Sequence, residues 1–246
     1  MKLQLPHVTL LQMETQNHRL AKLAVDDCLA AADFGEVLIL SDSFSQLRVP
    51  GASHYRVENW PNKLGYAKAL WHVVPLYVKT AQVLIIQWDS WIIRPELWRP
   101  EFSSYDYIGA PWHYEDGFDV GNSGFSLRSN ALMQFLLANK LTYPPVQPAE
   151  DELLSRLYRT ELEKHGFVWA PKEVAVDFSR EGYVPDGLLN SFGFHGTFNW
   201  HKVMGPDQFE ERIKLAASSP YIRRSGMLDE VIRLAPWAAS AIKQAA

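Results

Sequence analysis

The sequence predicts an α/β fold, with parallel strands covered by helices, because apolar runs alternate with amphipathic stretches along its first half. Val83 to Ile86 is rich in β-branched residues and bounded by polar ones, which is typical of a strand buried on both faces of a parallel sheet. Val8 to Met13 and Val37 to Leu40 have the same character, and Asn17 to Ala32 between them carries apolar residues at helical spacing. This succession predicts a right-handed crossover between parallel strands.

The same patterns predict the remaining elements. Before Asp89 we expect a third strand over His54 to Val57 and a second helix over Leu64 to Val78, kinked or ended near Pro75. After Asp89 we expect a strand, a helix capped by Ser129, a helix that begins with acidic residues, two short strands and amphipathic C-terminal helices. In chain order these are Phe125 to Leu127, Leu132 to Ala138, Pro148 to Gly166, Phe167 to Ala170, Val174 to Val176 and Pro206 to Ala246.

The composition narrows the class of protein. With 246 residues, 47% hydrophobic and 21% charged, we expect one large soluble domain with a peripheral C-terminal section. The net charge of −4 and the lack of a long Lys/Arg block argue against nucleic-acid binding. The lone Cys28 excludes an internal disulfide framework, and the sequence shows neither a signal peptide's apolar core nor a membrane-spanning stretch. We therefore expect a cytoplasmic protein, and peripheral contact of the C-terminal helices with a membrane stays open.

Four predicted strands end in polar residues, namely Glu14-Thr15, Ser41-Asp42, Glu58-Asn59 and Asp89. The carboxyl ends of parallel strands meet at one edge of a sheet, which is the usual location of a nucleotide crevice. Asp89, flanked by Trp88 and Trp91, is placed there to meet a substrate or hold a cation, or else to cap a turn. Because neither glycine-rich phosphate motif occurs, a diphosphate would need a metal or a basic side chain such as Lys63, Lys68 or Arg94.

The second half carries glycines, acids and one notable histidine. The glycines of Gly121 to Gly124 mark backbone that turns tightly or lets a ligand approach, and His113 to Val120 is a candidate loop over the site. Glu150, Asp151 and Glu152 open a predicted helix, where they have the alternative role of stabilising the helix dipole. His195, between two glycines, suits a loop that folds over a ligand or metal, although a single histidine is also common as a structural residue.

Four motifs together resemble those of a little-characterised family of glycosyltransferase-like proteins: Tyr105 to Trp112, Gly121 to Ser129, Glu150-Asp151 and Gly193 to Gly196. The similarity extends over about Val8 to Trp200. It implies a GT-A type fold, which is a Rossmann-like mixed sheet flanked by helices, here with a C-terminal helical extension over residues 201–246. Residues 1–95 would then form a nucleotide-binding half and residues 96–200 an acceptor-binding half of one catalytic domain. The implied reaction is sugar transfer from a nucleotide diphosphate donor with Mn²⁺ or Mg²⁺.

The resemblance also implies roles for individual residues. Asp89 matches the metal-associated Asp-x-Asp motif, although Gln87 to Trp91 contains one carboxylate instead of two, and His195 matches a late histidine that joins the metal or the diphosphate. Asp151, or Glu150 beside it, matches the general base of inverting members. Gly121, Asn122, Ser123 and Gly124 would line the donor sugar, with Ser123 in place of a glycine. Apart from the resemblance, we expect Asp42 or the Glu14-Thr15 turn to contact the nucleoside, and Lys68 and Trp88 to contribute to donor binding near Asp89.

The chemistry of these residue types agrees with such a transfer. A divalent ion on Asp89 and His195 stabilises the negative charge that develops on a departing diphosphate, and Asp151 takes the proton of the attacking hydroxyl. The expected donor is a UDP-sugar and the expected acceptor a glycan or lipid-linked glycan. Two alternatives stay open: a non-catalytic carbohydrate-binding protein that grips glycans with some of its nine tryptophans, and a metal-dependent hydrolase of nucleotide sugars.

Overall fold

The computed structural model describes residues 1–60, 62–141, 148–182, 184, 189–239 and 242. Its strands are β1 Leu3–Glu14, β2 Ala32–Ser41, β3 Ser53–Arg56, β4 Gln82–Ile86, β5 Ser90–Ile92, β6 Tyr107–Gly109, β7 Phe125–Ser129, β8 Ser179–Arg180 and β9 Gly193–His195. Its helices are α1 His18–Ala31, α2 Lys63–His72, α3 Asn130–Asn139, α4 Glu150–Glu152, α5 Arg159–Lys164, α6 Lys172–Phe178, α7 Trp200–Val203, α8 Pro206–Ser218, α9 Pro220–Ser225 and α10 Met227–Leu234. Short 3₁₀ helices and a π-helical turn over Leu153–Leu157 complete the described elements.

Six of the described strands form one mixed sheet in the order β3-β2-β1-β4-β7-β6. β1, β2, β3 and β4 pair in parallel, whereas β7 runs antiparallel to both β4 and β6. The predicted α/β class, with a mixed sheet flanked by helices, is therefore confirmed. The sheet joins strands from both predicted halves of the domain, and the division into a nucleotide-binding and an acceptor-binding half stays a prediction.

Local sequence explains where the predicted helices begin and end. The Ser129 side chain accepts a hydrogen bond from the Leu132 backbone N–H, which confirms the predicted cap of α3. The Asn62 side chain caps α2 in the same way by accepting from the Gly65 N–H. Pro75 lies in the 3₁₀ turn Val74–Leu76 that follows α2, so the helix ends near the proline as predicted.

The core lies on both faces of the sheet. Val83 to Ile86 of β4 are fully buried, with alternating side chains that belong to two different apolar clusters. Leu84 and Ile86 pack with buried residues of α1, whereas Val83 and Ile85 pack with those of α2 and α3. Burial on both faces explains why this strand reads as a continuous apolar run.

Several predicted elements differ in the structure. Val174 to Val176 lies in helix α6, where Val174, Ala175 and Phe178 are buried at helical spacing after Pro171, so the predicted strand is wrong. Phe167 to Ala170 makes a single parallel bridge, between Trp169 and Tyr107, instead of a strand. The helix predicted over Pro148 to Gly166 is divided into α4, the π-helical turn and α5.

A second, three-stranded sheet in the order β5-β9-β8 was not predicted from the sequence. β5 follows directly after Asp89, and β9 contains His195, which was expected in a loop. The three strands have two or three residues each, too few to show an alternation of apolar and polar side chains.

The C-terminal helices pack on the first half of the sheet. Arg212 of α8 is buried, donates to the Asp27 carboxylate of α1 and lies 4.3 Å above the Trp91 ring. The Ser219 hydroxyl donates to Asn17 Oδ1 at 2.6 Å, which joins the start of α9 to the turn after β1. Within the described residues, no helix is both long and apolar enough to cross a membrane.

Candidate functional site

Strand pairing brings Asp89 and His195 together. Asp89 lies in the turn between β4 and β5, and in the register of β5 and β9 its neighbour Ser90 lies opposite His195. The Gly196 backbone N–H donates to the Asp89 carbonyl at 3.1 Å, which extends this pairing by one residue. Two residues more than one hundred positions apart are thereby fixed side by side at the carboxyl end of β4.

His195 lies among three side chains with oxygen atoms. Its Nε2 is 3.2 Å from Gln87 Oε1 and 3.5 Å from Asp89 Oδ1, and its Nδ1 is 3.1 Å from Glu181 Oε1. Burial disfavours the charged form of the ring, but the neighbouring carboxylates of Asp89 and Glu181 outweigh burial and raise the pKa of His195 to about 10. Each of the two ring nitrogen atoms thus has an oxygen atom within hydrogen-bond distance, which fixes the orientation of the ring.

The Gly121 to Gly124 loop packs directly against this histidine. The Gly124 carbonyl accepts from the Gln87 N–H at 3.1 Å and from the Ser90 hydroxyl at 2.6 Å. A Cβ on Gly124 would lie 2.2 Å from two atoms of the His195 ring, so this position requires glycine. The sequence predicted a tight turn or the close approach of a ligand to this loop, whereas the group that lies against Gly124 is the His195 ring. Asn122 is buried, and its Oδ1 accepts from the Gly124 N–H at 3.1 Å.

Asp151 borders the same loop from the start of α4. Its Oδ2 accepts from the Ser123 N–H at 3.3 Å, and its Oδ1 accepts from the Glu152 N–H at 3.0 Å. Burial, followed by the negative charge of Glu150 and a smaller effect of Glu181, raises the pKa of Asp151 to about 6. Asp89, Asp151 and His195 therefore all lie around one loop, and their roles in a reaction stay predictions.

Glu150 has a different environment from Asp151. Its carboxylate forms a bidentate ion pair with Arg128 at 2.7 and 2.9 Å and accepts from the Trp71 indole N–H at 2.5 Å. Both charged side chains are buried, and the Arg128 guanidinium lies 4.8 Å from the centre of the Tyr107 ring. With these donors on its oxygens, Glu150 is engaged in holding β7 to α4, which leaves Asp151 as the better candidate base.

The predicted nucleoside contacts lie at the ends of β1 and β2. Glu14 Oε1 accepts from the backbone N–H groups of Thr15, Gln16 and Asn17 at 2.6 to 2.9 Å, and burial raises the Glu14 pKa despite these bonds. Thr15 is held by the loop after β3, because its hydroxyl accepts from the Trp60 N–H at 3.2 Å. Glu14 and Thr15 thus form a rigid, buried turn at the expected edge.

Asp42 remains partly open at that edge. His18 Nε2 lies 2.7 Å from its Oδ1, and Asn59 donates to its Oδ2 at 3.1 Å. A surface pocket of about 210 Å³ adjoins it, lined by Asp42, Ser43, Phe44, Ser45 and Arg56. An exposed aromatic ring, a carboxylate and a guanidinium thus stand together where the sequence predicted a nucleoside.

Lys68 and Trp88 are not brought to the site in the expected way. Lys68 is exposed on α2, where its charge adds to burial and to the charge of Lys140 in lowering the pKa of His72. Tyr66 points to the site instead, since its hydroxyl accepts a hydrogen bond from Gln87. Lys68 lies two residues further along the helix, where side chains point about 200° away from those of Tyr66. Trp88 is buried, and its ring lies perpendicular to that of Trp200 with the ring centroids 5.8 Å apart, so its side chain packs inside the protein.

Three residues near the site were not predicted from the sequence. Glu181 follows the two-residue strand β8, which no pattern distinguishes. Gln87 could have been found from its position two residues before Asp89. Tyr221 of α9 is about half exposed, and its partial burial together with the charges of Glu14 and Asp89 raises its pKa, so the C-terminal helices also reach the carboxyl edge of the sheet.

The residues around His195 fit a divalent cation in part. Asp89 Oδ1 is buried and has no hydrogen-bond partner among the described residues. A carboxylate with a neutral imidazole is a ligand pair that Mn²⁺ accepts, so a bound ion would have to replace the Nε2 proton of His195. Glu181 contacts Nδ1 of the ring rather than Nε2. In the part of the chain that the structure describes, no three His, Cys, Asp or Glu side chains are arranged to hold a metal. The other ligands would have to come from a bound molecule and water.

A family model described as "Protein of unknown function (DUF5672)" matches residues 57–195, which is more than half of the chain. The match contains Asp89, the loop Gly121 to Gly124, Asp151 and His195. The description assigns no activity, so the glycosyltransferase activity implied by the resemblance stays a prediction. No protein of curated function matches the sequence.

Several solved structures are similar to this chain at low identity. Glycosyltransferase GlyE of Streptococcus pneumoniae TIGR4 is 14% identical with a TM-score of 0.44 over 71% of this chain and 46% of that one. A glycosyltransferase involved in glycosylation of the major capsid of PBCV-1 is 10% identical with a TM-score of 0.47 over 83% and 98%. Glucosyl-3-phosphoglycerate synthase from Mycobacterium tuberculosis, bound to Mn²⁺, uridine diphosphate and phosphoglyceric acid, is 13% identical with a TM-score of 0.42 over 66% of each chain. This chain spans less than half of GlyE, and likenesses this distant do not decide its function.

Proposed function

This chain belongs to the family described as protein of unknown function (DUF5672), and we propose that it transfers a sugar from a nucleotide diphosphate donor to a hydroxyl acceptor. One observation carries the proposal: Asp89, His195 and Asp151 converge around the Gly121 to Gly124 loop. This convergence lies at the carboxyl end of β4, beside the ends of β1 and β2, where open α/β sheets bind their ligands.

Asp89 and His195 are the residues that would hold a divalent ion, with the donor's diphosphate and water as further ligands. Such an ion supplies a positive charge that stabilises the leaving diphosphate. The buried Asp89 Oδ1 without a hydrogen-bond partner among the described residues supports this role, because a buried carboxylate oxygen normally has a partner. Lys68 is exposed on α2, so its proposed part in binding the diphosphate has little support.

Asp151 is proposed as the general base that takes the proton of the acceptor hydroxyl as it attacks. Its raised pKa of about 6 supports this role, since a base works best when its pKa lies near the working pH. Hydrogen bonds from two backbone N–H groups, those of Ser123 and Glu152, fix the Asp151 carboxylate beside the Gly121 to Gly124 loop. Glu150, bound to Arg128 and Trp71, would act indirectly by anchoring the helix that carries Asp151.

The pocket beside Asp42 supports a nucleoside at the end of β2. Its exposed Phe44 ring offers a face to a base, and its carboxylate and hydroxyl groups offer partners to a ribose. The proposed donor is a UDP-sugar. The proposed acceptor is a glycan or lipid-linked glycan, and the proposed compartment is the cytoplasm or the membrane surface facing it.

A thermal-shift experiment tests the proposal without knowledge of the acceptor. UDP together with Mn²⁺ should raise the melting temperature of the wild type, and the shift should disappear in Asp89→Asn. Asp26→Asn is the matched control, because Asp26 is a half-exposed carboxylate on α1 that pairs with Lys22. Equal shifts in the wild type and Asp89→Asn would contradict the role of Asp89.

Two other outcomes identify the alternative functions. A wild type that ignores UDP with Mn²⁺ but is stabilised by glycans would be a carbohydrate-binding protein. Free sugar released from UDP-sugars at the same rate with and without glycan acceptors would indicate a hydrolase.

A further inference from the structure

Glu181 is held in place beside His195 by the second, three-stranded sheet. β8 and β9 pair in parallel with Arg180 opposite Phe194, so the next residues along each strand are Glu181 and His195. Glu181 Oε1 lies 3.1 Å from His195 Nδ1, and about a quarter of the Glu181 side chain is exposed. This contact therefore follows from the backbone register.

The turn after Glu181 is fixed by a buried residue from another segment. Asn199 is fully buried, donates to the Gly182 carbonyl at 2.6 Å and accepts from the Val184 N–H at 3.2 Å. Gly182 has a φ of +75°, which glycine adopts without strain. The backbone is therefore held by hydrogen bonds both before and after Glu181. A carboxylate on an exposed loop does not have its position fixed in this way.

An acceptor at Nδ1 determines what the other nitrogen atom of the ring does. A histidine that donates Nδ1–H to a carboxylate presents Nε2 in a fixed orientation, and such a partner also increases the basicity of the ring as a ligand. In this chain Nε2 lies 3.2 Å from Gln87 Oε1 and 3.5 Å from Asp89 Oδ1, a buried oxygen without a hydrogen-bond partner in the described residues. Glu181 thus orients His195 so that Nε2 faces the turn from Gln87 to Asp89.

The negative charge of Glu181 compensates for the lack of charge on Gln87. Gln87, two residues before Asp89, is neutral, although its Oε1 lies 3.2 Å from His195 Nε2. The turn after β4 therefore contributes one negative charge to the neighbourhood of His195. A divalent cation is held by the summed negative charge around it, and Glu181 brings a second carboxylate from a distant part of the chain.

We propose that Glu181 is a positioning residue that orients His195 through Nδ1 and supplies the second negative charge of the Asp89–His195 site. This inference rests on the proposed function, because the cation that the site would hold accompanies the nucleotide diphosphate. Glu181 acts through His195 and contacts neither the cation nor the substrate.

The test measures Mn²⁺ binding to the full chain by calorimetry, with and without UDP. Glu181→Ala should weaken Mn²⁺ binding about 10- to 100-fold. Glu181→Gln should lose less, because its amide oxygen still accepts from Nδ1–H although the charge is gone. Glu173→Gln is the matched control, since Glu173 is an exposed carboxylate in the first turn of α6. The control should bind as the wild type does.

A second readout separates orientation from general damage to the fold. In the complex with UDP and Mg²⁺, where the ion would replace the Nε2 proton, the ¹⁵N signals of His195 should show a proton on Nδ1 in the wild type and in Glu181→Gln, and a changed proton position or exchange pattern in Glu181→Ala. The melting temperatures without ligand should stay within a few degrees of each other. Wild-type affinity for Mn²⁺ in Glu181→Ala would overturn the inference and leave the proposed function standing. A wild type that binds neither Mn²⁺ nor UDP would overturn the proposed function, and this inference with it.

Discussion

Glu150 and Asp151 are consecutive residues whose carboxylates have separate tasks. Glu150 accepts hydrogen bonds from Arg128 and Trp71 inside the protein, whereas Asp151 accepts from the backbone of Ser123 beside the candidate site. Consecutive helical residues point about 100° apart, so one helical turn serves both the core and the site. A Glu-Asp pair at the start of this helix can therefore reach both a buried ion pair and the candidate site.

Glu150→Gln should unfold the protein more easily. The substitution leaves the Arg128 guanidinium buried without its counter-charge, which costs about 3 kcal/mol of unfolding free energy. Urea denaturation of the purified variant measures this loss. Glu161→Gln, at an exposed pair with Lys164, should change the unfolding free energy little. Equal stability of the two variants would mean that the ion pair is not buried as described.

The rate of sugar transfer should fall as the pH drops below about 6. Asp151 accepts a proton only as the carboxylate, and burial raises its pKa to about 6. We expect about a tenfold loss per pH unit in the acid limb, measured with saturating UDP-sugar and Mn²⁺. Asp151→Asn should bind UDP as the wild type does and lack transfer at every pH. A pH profile that is flat between 5 and 7 would argue against Asp151 as the base.

Asp151→Asn should also change how stability depends on pH. A carboxyl with a raised pKa binds more protons in the folded state than in the unfolded state, so its contribution to stability decreases as the pH rises from about 4 to 6. The stability of Asp151→Asn relative to the wild type should therefore increase over that range, by at most about 3 kcal/mol. Denaturation at pH 4.5 and 7.5 measures the difference. A relative stability that decreases with pH would contradict the burial of Asp151.

Gly124→Ala should displace the His195 ring while leaving the residue itself unchanged. The added methyl group would lie 2.2 Å from the imidazole ring, so the ring or the loop must move. We expect the affinity for UDP with Mn²⁺ to fall more than tenfold, measured by calorimetry. Gly205→Ala is the control, because a Cβ there meets no atom of the described residues within 4 Å. Unchanged binding by Gly124→Ala would show that the position of His195 is not critical.

Arg212→Ala should loosen the attachment of the C-terminal helices. The variant loses the hydrogen bond to Asp27 and the contact with the Trp91 ring. This loss should lower the free energy of unfolding by about 2 kcal/mol. Arg212→Met should lose less stability, because the methionine side chain still covers the Trp91 ring. The substitution also removes two buried nitrogen atoms, Nε and Nη1, that lack hydrogen-bond partners in the described residues. Urea denaturation compares them, and equal losses would show that packing over Trp91 contributes nothing.

The first half of the fold could be predicted because its elements are long and buried. β1, β2 and β4 each contain a buried, mainly apolar run, and α1 has an apolar face at helical spacing. The second half was harder. β9 contains three residues including a glycine, and α6 contains two valines that favour strands, so packing against the core overrode local preference there.

The sequence by itself determined the candidate residues: Asp89 after a predicted strand, Asp151 at the start of a predicted helix and His195 between two glycines. The tertiary structure decided which of these residues meet, that Glu150 belongs to Arg128, and that Glu181 reaches His195. The physical reason is that the convergence of side chains depends on the pairing of strands far apart in the chain. A period of two or 3.6 residues describes one element at a time and contains no information about which distant element lies beside it.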